Sequence, residues 1–502
     1  MSKLLSAVWQ MEWLQLRRSR MVQIMWLFLF FTAGYALMYG YGSVQKQQGN
    51  QMLLDHLNDS TRNVYLSYFR DPKLADSVRF GYDGMNSLYD GFTVEDFLQQ
   101  NMAIDRPGRL THLAIGQRDV YPPYRKVSAR SLYYDGSGIS LGDKYTETNN
   151  PHKQLAGNFD LAFWLIYLVP LFIIARCYGV YSEDKENGTM LLLQQMPVSV
   201  RTIIAYRLSF RLAGVLLLVF LVSVIGYFWS PVKMTTDPDA LWQWLLVSVS
   251  YILFWFALCW LMVSLRLSSA VTALSLTGAW ILFLFIIPGL VNNYISTKYP
   301  LSSRTALVNA LNERTAALWD EPDTAHQAVL YREYPTLAPP SIQPLWTATD
   351  SYDSLGKSEA VDKRYNKKLM LWHYTLDRSI RKQVRAYEQQ LETKEKAAHD
   401  FAWIHPAMAA QRGLTLAAAS GEDHQALFRK ATEEYRDSIF RMTVSNVFLD
   451  RKMTRDDYLR YGKFDMQQTK TTNDPSTLGV VVLLVYILIF IACGYGLFKR
   501  RI

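Results

Sequence analysis

The sequence predicts a mainly α-helical integral membrane protein with six transmembrane helices. Three observations predict it: apolar runs long enough to cross a bilayer, aromatic residues at the ends of those runs, and Lys and Arg in the short connections. Over the 502 residues, 19% are charged and the mean hydropathy is close to zero. That average conceals the runs, because two long polar regions offset them.

The apolar runs define the transmembrane segments. A helix needs about 20 mostly apolar residues to cross the hydrocarbon core of a membrane. Six segments meet this condition: residues 21–41, 159–175, 212–229, 241–265, 271–291 and 478–498. Stretches such as WILFLFIIPGLV and LGVVVLLVYILIFIACGYGLF have no polar face, which excludes a set of amphipathic helices in a soluble protein. Flanking aromatic residues such as Tyr41, Trp229 and Trp242 are typical of the membrane–water interface.

The orientation follows from the basic residues in short connections, which concentrate on the cytoplasmic side of membrane proteins. These basic residues lie in residues 1–20, in residues 176–211, at position 266 and in residues 499–501. Six spans with both termini in the cytoplasm place all of these on one side. We therefore expect cytoplasmic N and C termini.

Two long regions, residues 42–158 and 292–476, would then form a large mixed and helical extracytoplasmic domain. The first contains strand-like pieces such as YRKVSARSLYY between Pro and Gly turns, and we expect a small subdomain or a wrap around the second region. The second contains a long helical pattern from about residue 363 to 399 that His405-Pro406 ends. Another amphipathic helix follows Gly421.

Residues 1–20 are predicted to form an amphipathic helix that lies in the inner membrane interface. Leu and Trp residues surround a basic end, and Glu12 and Arg17 would be costly to place in hydrocarbon. The alternative is a simple extension of the first span. Pro288-Gly289 is predicted to kink the fifth span.

The link between the second and third spans, residues 176–211, carries the most informative pattern. It opens with the acidic residues Glu183, Asp184 and Glu186. Gly188 can end a helix in a left-handed conformation, and TMLLLQQ then forms a short apolar helix. Pro197 breaks that helix and Ser199 can cap the next one. The short helix must bury its Leu face on a partner or in the lipid interface.

This order of residues resembles the same link in ABC-2-type permeases, which have the fold of type V exporters. The matching positions are Glu183, Glu186, Gly188, Thr189, Leu191, Leu192, Leu193, Pro197, Ser199 and Arg201, and Asp184 is a further candidate coupling residue of the same link. Family permeases often have Lys where Arg207 stands. The long outer regions resemble a long-loop branch of poorly defined function, and HPAMAAQRGLTLAAAS followed by HQALFRKATEEYRDSI resembles its outer region.

The resemblance implies that the link is a coupling element that docks on a separate cytoplasmic ATPase subunit, where ATP and Mg would bind. It also implies a second permease chain, identical or related, a bacterial inner membrane and a possible periplasmic partner. No G-x-x-x-x-G-K-[ST] motif is present, so we expect neither a cofactor nor enzymatic activity in this chain. The histidines are scattered, so we expect no metal site. The sequence contains no basic cluster interleaved with aromatic residues, so we expect no nucleic-acid binding.

Three functions remain open from the sequence. The first is the permease of an ATP-driven exporter that works as a dimer. The second is a mechanotransmitter, in which hydrolysis on one side drives an extracytoplasmic process without moving a substrate through the membrane. The third is a membrane-anchored receptor or scaffold with an extracytoplasmic binding domain. The coupling-like link favours the first two.

Overall fold

The fold is a bundle of long helices with a helical domain at one end. The computed structural model describes residues 2–70, 101–119, 123–127, 157–233, 238–300, 304–347, 350, 359–451, 454–460, 463–466 and 476–500. Within this described part, six helices are long and apolar enough to cross a membrane. The predicted mainly α-helical membrane fold with six spans is therefore confirmed.

The helices follow one another in chain order. Up to the fifth span they are α1 (Ser2–Arg18), α2 (Arg20–Arg70), α3 (Leu161–Phe163, Trp164–Leu168 and Val169–Cys177 in succession), α4 (Ser182–Glu186), α5 (Met190–Gln194), α6 (Val200–Phe228), α7 (Pro238–Ser264) and α8 (Ser269–Ile281, Leu282–Ile286 and Ile287–Lys298 in succession). The remaining helices are α9 (Arg304–Asp320), α10 (Asp323–Glu333), α11 (Glu359–Asp400), α12 (Pro406–Ala417), α13 (Glu422–Phe448), α14 (Arg455–Arg460) and α15 (Ser476–Arg500). Strands β1 (Asn101–Ile104) and β2 (Tyr124–Val127) pair antiparallel.

The second and fourth spans, α3 and α7, occupy the middle of the bundle. They bury 61% and 67% of their most apolar windows, whereas the fifth span, α8, buries 17%. Trp164, Trp244 and Trp255 are fully buried there. The indole N–H of Trp164 donates to the Leu29 carbonyl at 3.1 Å, which satisfies a buried polar group inside the bundle.

One end of the bundle brings together α1, the last turns of α15, the link between the second and third spans and the turn between the fourth and fifth; we call it the link face. The Arg201 guanidinium at the start of α6 lies 4.4 Å from the ring centre of Tyr495, near the end of α15. Arg266, in the turn between α7 and α8, lies 5.6 Å from the ring of Phe498. Helices α4 and α5 belong to the same end, which therefore brings distant parts of the sequence together.

The opposite end, the domain face, is covered by residues 105–119 and by α12. Gly40 on α2 lies so close to this segment that an added Cβ would be 1.8 Å from the His112 carbonyl oxygen. The His112 Nε2 atom lies 2.9 Å from the Gly226 carbonyl at the end of α6. Ala410 and Leu414 of α12 belong to the same hydrophobic core as the spans.

The helices beyond the domain face form a second core. Leu371 of α11, Phe428 and Ile439 of α13, and Tyr458 of α14 are buried together. The predicted long helix is confirmed as α11, which ends at Asp400. The predicted interruption at His405-Pro406 is also confirmed, because α12 begins at Pro406. The predicted amphipathic helix after Gly421 is α13.

Two spans differ from the sequence prediction in detail. Helix α2 continues to Arg70, well past the predicted span end at residue 41, because the polar residues that follow contain no Pro to stop it. In the fifth span, where a kink is predicted, a π turn at Leu282–Ile286 precedes Pro288. The Ile287 N–H bonds to the Leu282 carbonyl, so the wider turn accommodates a residue that cannot donate.

The predicted outer subdomain is described only in part. Strand β2 covers the first four residues of YRKVSARSLYY, and the rest of that stretch lies outside the described residues. Residues 71–100, 120–122 and 128–156 of the first outer region also lie outside them. The described segment 105–119 contacts both α2 and the turn between α12 and α13, through hydrogen bonds from Gln51 and to Ala418.

Candidate functional site

The link between the second and third spans contains two short helices joined by a glycine turn. Helix α4 ends with the Asn187 N–H bonded to the Glu183 carbonyl, and Gly188 follows with φ of +76°. The left-handed conformation predicted for Gly188 is confirmed. Its Cβ position is open, so the backbone angle rather than space requires glycine here. Helix α5 then forms the predicted short apolar helix.

The second half of the link leads back into the membrane. Pro197 lies in the turn between α5 and α6. Ser199 has extended backbone angles, and its hydroxyl accepts a hydrogen bond from the Thr202 N–H at 3.4 Å. This is the geometry of an N-cap, so the predicted capping of the third span by Ser199 is confirmed.

Asp184 joins the link to the third span. Its carboxylate lies 2.5 Å from the Arg207 guanidinium on α6, and the same guanidinium donates to the Val180 carbonyl at 3.3 Å. The Thr189 hydroxyl donates to the Asp184 carboxylate at 3.0 Å. Asp184 therefore ties α4 to α6 and closes the turn around Gly188.

Glu186 joins the link to the fifth span. Its carboxylate accepts hydrogen bonds from the Ser269 backbone N–H and hydroxyl, both at 2.9 Å. The Ser268 N-cap of α8 makes no side-chain capping bond, so Glu186 supplies one from another helix. A carboxylate is favoured there because helix N-termini carry partial positive charge. The hydroxyl oxygens of Ser269 and Ser182 lie 2.7 Å apart.

Glu12 of α1 is a functional candidate that the sequence interpretation missed. It was expected at the membrane interface, yet its side chain is 2% exposed and bonds the Arg211 guanidinium twice, at 2.9 and 3.0 Å. It also lies 3.9 Å from Arg207. The signal in the sequence was the spacing of Arg207 and Arg211, which places both on one face of a helix and calls for an anion.

Residues 6–501 match the family described as ABC-2 family transporter protein. The chain belongs to the ABC-2 transporter family. None of the curated proteins matches it. None of the solved structures matches it either.

Family membership sets the general role of this ABC-2 chain. It is a multi-pass membrane protein and a permease subunit of an ABC transporter. ABC-2 permeases are membrane components without an ATPase motif of their own, and the family implies an ATPase partner. Among the residues that the structure describes, no group of three or more His, Cys, Asp or Glu is placed to hold a metal ion.

The link of this ABC-2 chain presents an apolar tip. Leu191, Leu192 and Met196 have exposed fractions of 69%, 63% and 49%, while Met190 is buried and Leu193 is half-buried. The acidic residues behind this tip are engaged with the spans, apart from Glu183, which is exposed on α4. Arg201 instead packs over Tyr495. The residues predicted from the link therefore divide into an exposed apolar tip and polar anchors.

Proposed function

We propose that this chain is the permease of an ATP-driven exporter, and that its link receives movement from a separate cytoplasmic ATPase subunit. The observation that carries the proposal is the apolar tip, Leu191, Leu192 and Met196, held away from the bundle by anchored helices. Exposed apolar surfaces of this kind mark contacts with a partner protein or with the membrane, and the family's ATPase partner is the occupant that we propose. The link face would then be cytoplasmic, in agreement with its basic residues.

Two contacts would transmit movement of the apolar tip to the membrane spans. The Asp184–Arg207 ion pair leads to α6, the third span, and the Glu186–Ser269 hydrogen bonds lead to α8, the fifth span. Hydrogen bonds with a charged partner are shorter and stronger than neutral ones. A displacement of α5 would therefore shift two spans together, which is what alternating exposure of a pathway requires.

A second permease chain, identical or related, completes the proposed assembly. The fifth span buries only 17% of its most apolar window within this chain. Two-fold pairing is the common arrangement of soluble oligomers and brings two copies of one surface together. ATP and Mg would be bound by the ATPase subunits, and the bilayer would be that of a bacterial inner membrane.

Mechanotransmission is the second candidate, and one structural relationship favours it. Helix α12 packs in the same core as the spans, and the Tyr486 hydroxyl on α15 donates to the Trp403 carbonyl just before α12 at 2.7 Å. Movement of α15 would therefore reach α11, which extends over 42 residues. Spin labels on α11 that move with ATP, in vesicles that accumulate no substrate, would support transmission over export.

The first experiment is gentle detergent purification of the tagged protein from its native host, with identification of the proteins that accompany it. We expect a stoichiometric ATPase subunit. Gly188→Val should abolish permease-dependent ATP hydrolysis while the complex still forms, because a β-branched residue is strongly disfavoured at positive φ. Gly49→Val is the control, since Gly49 lies on α2 with open space around it.

A second pair of variants tests the docking surface directly. The double substitution Leu191→Ser and Leu192→Ser should lower the amount of ATPase retained, whereas Ile342→Ser, at an exposed apolar site in the outer domain, should not. Unchanged hydrolysis in Gly188→Val would contradict the proposal. Purification of the complex without any ATPase would contradict it as well and would shift support to a receptor or scaffold.

A further inference from the structure

Glu12 lies at the centre of a buried group of charges on the link face. Its two carboxylate oxygens bond the Arg211 Nε and Nη2 atoms at 2.9 and 3.0 Å. The Arg207 Nε lies 3.9 Å from the same carboxylate, and the Arg207 Nη1 lies 2.5 Å from Asp184. Arg207 therefore stands between two anions that belong to different helices.

The charges in this group are paired, and the Arg176 guanidinium, which interacts electrostatically with Glu12 and Arg211, is a third cation beside them. Two carboxylates, Glu12 and Asp184, face two guanidinium groups, Arg207 and Arg211, and Arg211 also donates to the Arg176 carbonyl at the end of α3. The Glu12 side chain is 2% exposed and those of the two arginines are 10% and 11% exposed. Removal of one partner from a buried ion pair leaves an uncompensated charge, which is strongly unfavourable.

Further contacts between α1 and α6 hold Glu12 in place against α6. The Trp9 indole donates to the Ser209 hydroxyl at 3.2 Å, and its ring packs edge-on against Phe210 at 5.6 Å. These contacts hold α1 against the third span on the face that carries Arg207 and Arg211. The N-terminal helix is thus attached to the same residues that anchor the link.

We propose that Glu12 is a positioning residue for coupling: it holds Arg207 in the orientation that binds Asp184, and so makes α1 a third arm of the coupling device. This inference rests on the proposed function, since it assigns α1 a part in transmitting ATP-driven movement. Helix α1 then moves with α4 and α6 as one unit. Its role extends beyond attachment to the membrane surface.

The test measures ATP hydrolysis by the complete complex reconstituted with Glu12→Gln, which keeps the shape of the side chain and removes its charge. We expect the complex to assemble and its hydrolysis to fall about fivefold or more, the size of a typical coupling between two sites. Gln10→Ala, an exposed change on the same helix, should retain full hydrolysis. Glu12→Asp, which keeps the negative charge beside Arg207 and Arg211, should retain more hydrolysis than Glu12→Gln.

A distance measurement separates positioning from simple structural support. Spin labels at Gln10 and Lys185, both exposed, report the separation of α1 and α4 with and without ATP. We expect a narrow distance distribution that ATP does not change in the wild-type complex, and a broad one in Glu12→Gln. A narrow distribution and full hydrolysis in Glu12→Gln would overturn the inference.

The outcomes distinguish this inference from the proposed function. If Gly188→Val abolishes hydrolysis while Glu12→Gln does not, the inference fails and the proposed function stands. If neither substitution affects hydrolysis, the proposed function fails. If Glu12→Gln does not assemble, Glu12→Asp decides: a Glu12→Asp complex that assembles and keeps most of its hydrolysis supports the inference, and one that assembles with hydrolysis as low as that of Gly188→Val would overturn it, because the negative charge beside Arg207 is still present.

Discussion

The carboxylate of Glu186 lies 2.9 Å from both the backbone nitrogen and the hydroxyl oxygen of Ser269, so a residue of the second-to-third-span link caps the first turn of the fifth span. The two residues are 83 positions apart in the sequence. Their contact attaches the link to the fifth span, and it is separate from the Asp184–Arg207 ion pair that attaches the link to the third span. Its strength can be tested separately.

Glu186→Ala removes both hydrogen bonds to Ser269. We expect the complex to assemble, because Glu186 is exposed, and its ATP hydrolysis to fall about fivefold or more, because the fifth span no longer follows the link. Ser269→Ala should have a smaller effect, since its backbone N–H remains. The control is Lys185→Ala, a neighbouring exposed change. Equal hydrolysis in Glu186→Ala and Lys185→Ala would show that this contact has no part in coupling.

Gly40 permits the close approach of α2 to the segment at the domain face. Gly40→Ala should destabilise the protein by about 1–3 kcal/mol, the range of overpacked sites, because the new methyl group meets the His112 carbonyl oxygen. The measurement is the midpoint of thermal unfolding in detergent. Gly42→Ala is the matched control, because no atom lies within 4 Å of its Cβ position. It should leave the midpoint unchanged or raise it, since Ala favours helix more than Gly does.

Arg118 pairs with Asp105 in the segment that joins the outer domain to the bundle. The Nη1 and Oδ2 atoms are 3.0 Å apart, each side chain is 1% exposed, and His424 of α13 lies 2.8 Å from the other carboxylate oxygen. Arg118→Ala should lower stability by about 3–5 kcal/mol, because it leaves a buried carboxylate without its cation.

The neighbouring Arg106–Asp55 pair provides the control for Arg118→Ala. It is exposed, with 64% and 38% of the two side chains accessible, and Arg106→Ala should cost about 0–1 kcal/mol. Thermal unfolding of both variants in the same detergent gives the comparison. Similar unfolding midpoints for the two variants would show that the buried pair does not stabilise the junction.

His112 makes stability depend on pH. Burial lowers its pKa from 6.5 to about 4, against the opposing effect of its hydrogen bond to the Gly226 carbonyl. The unfolded chain therefore binds a proton more readily, and stability is lost as the pH falls from 6.5 towards 4, by roughly 3 kcal/mol in all. In His112→Gln, the midpoint of thermal unfolding should change less with pH between 4 and 6.5 than it does in the wild-type protein. An unchanged slope would show that other groups cause it.

Local features of the link follow directly from the sequence. The left-handed Gly188 and the Ser199 cap were predicted because each depends on the residue and its near neighbours alone. The six spans were predicted for a similar reason: the length and apolarity of a run decide whether it can cross a bilayer.

Contacts between distant residues could not be predicted in this way. Glu12 reads as an interfacial acid in its own segment, and only the packing of α1 on α6 shows it buried against Arg211, 199 positions away. The contact of Glu186 with the fifth span is also absent from any local pattern. Such contacts depend on the relative positions of whole helices, which no short stretch of sequence records.

The sequence by itself determined the six spans and the turns of the link at Gly188 and Ser199, because hydrophobic length and backbone preference act locally. The tertiary structure decided which spans lie inside, how the outer helices join the bundle through residues 105–119 and α12, and which charges are buried. The physical reason is that an ion pair or a glycine contact forms only when two elements pack together, and its energy depends on the burial that the packing creates.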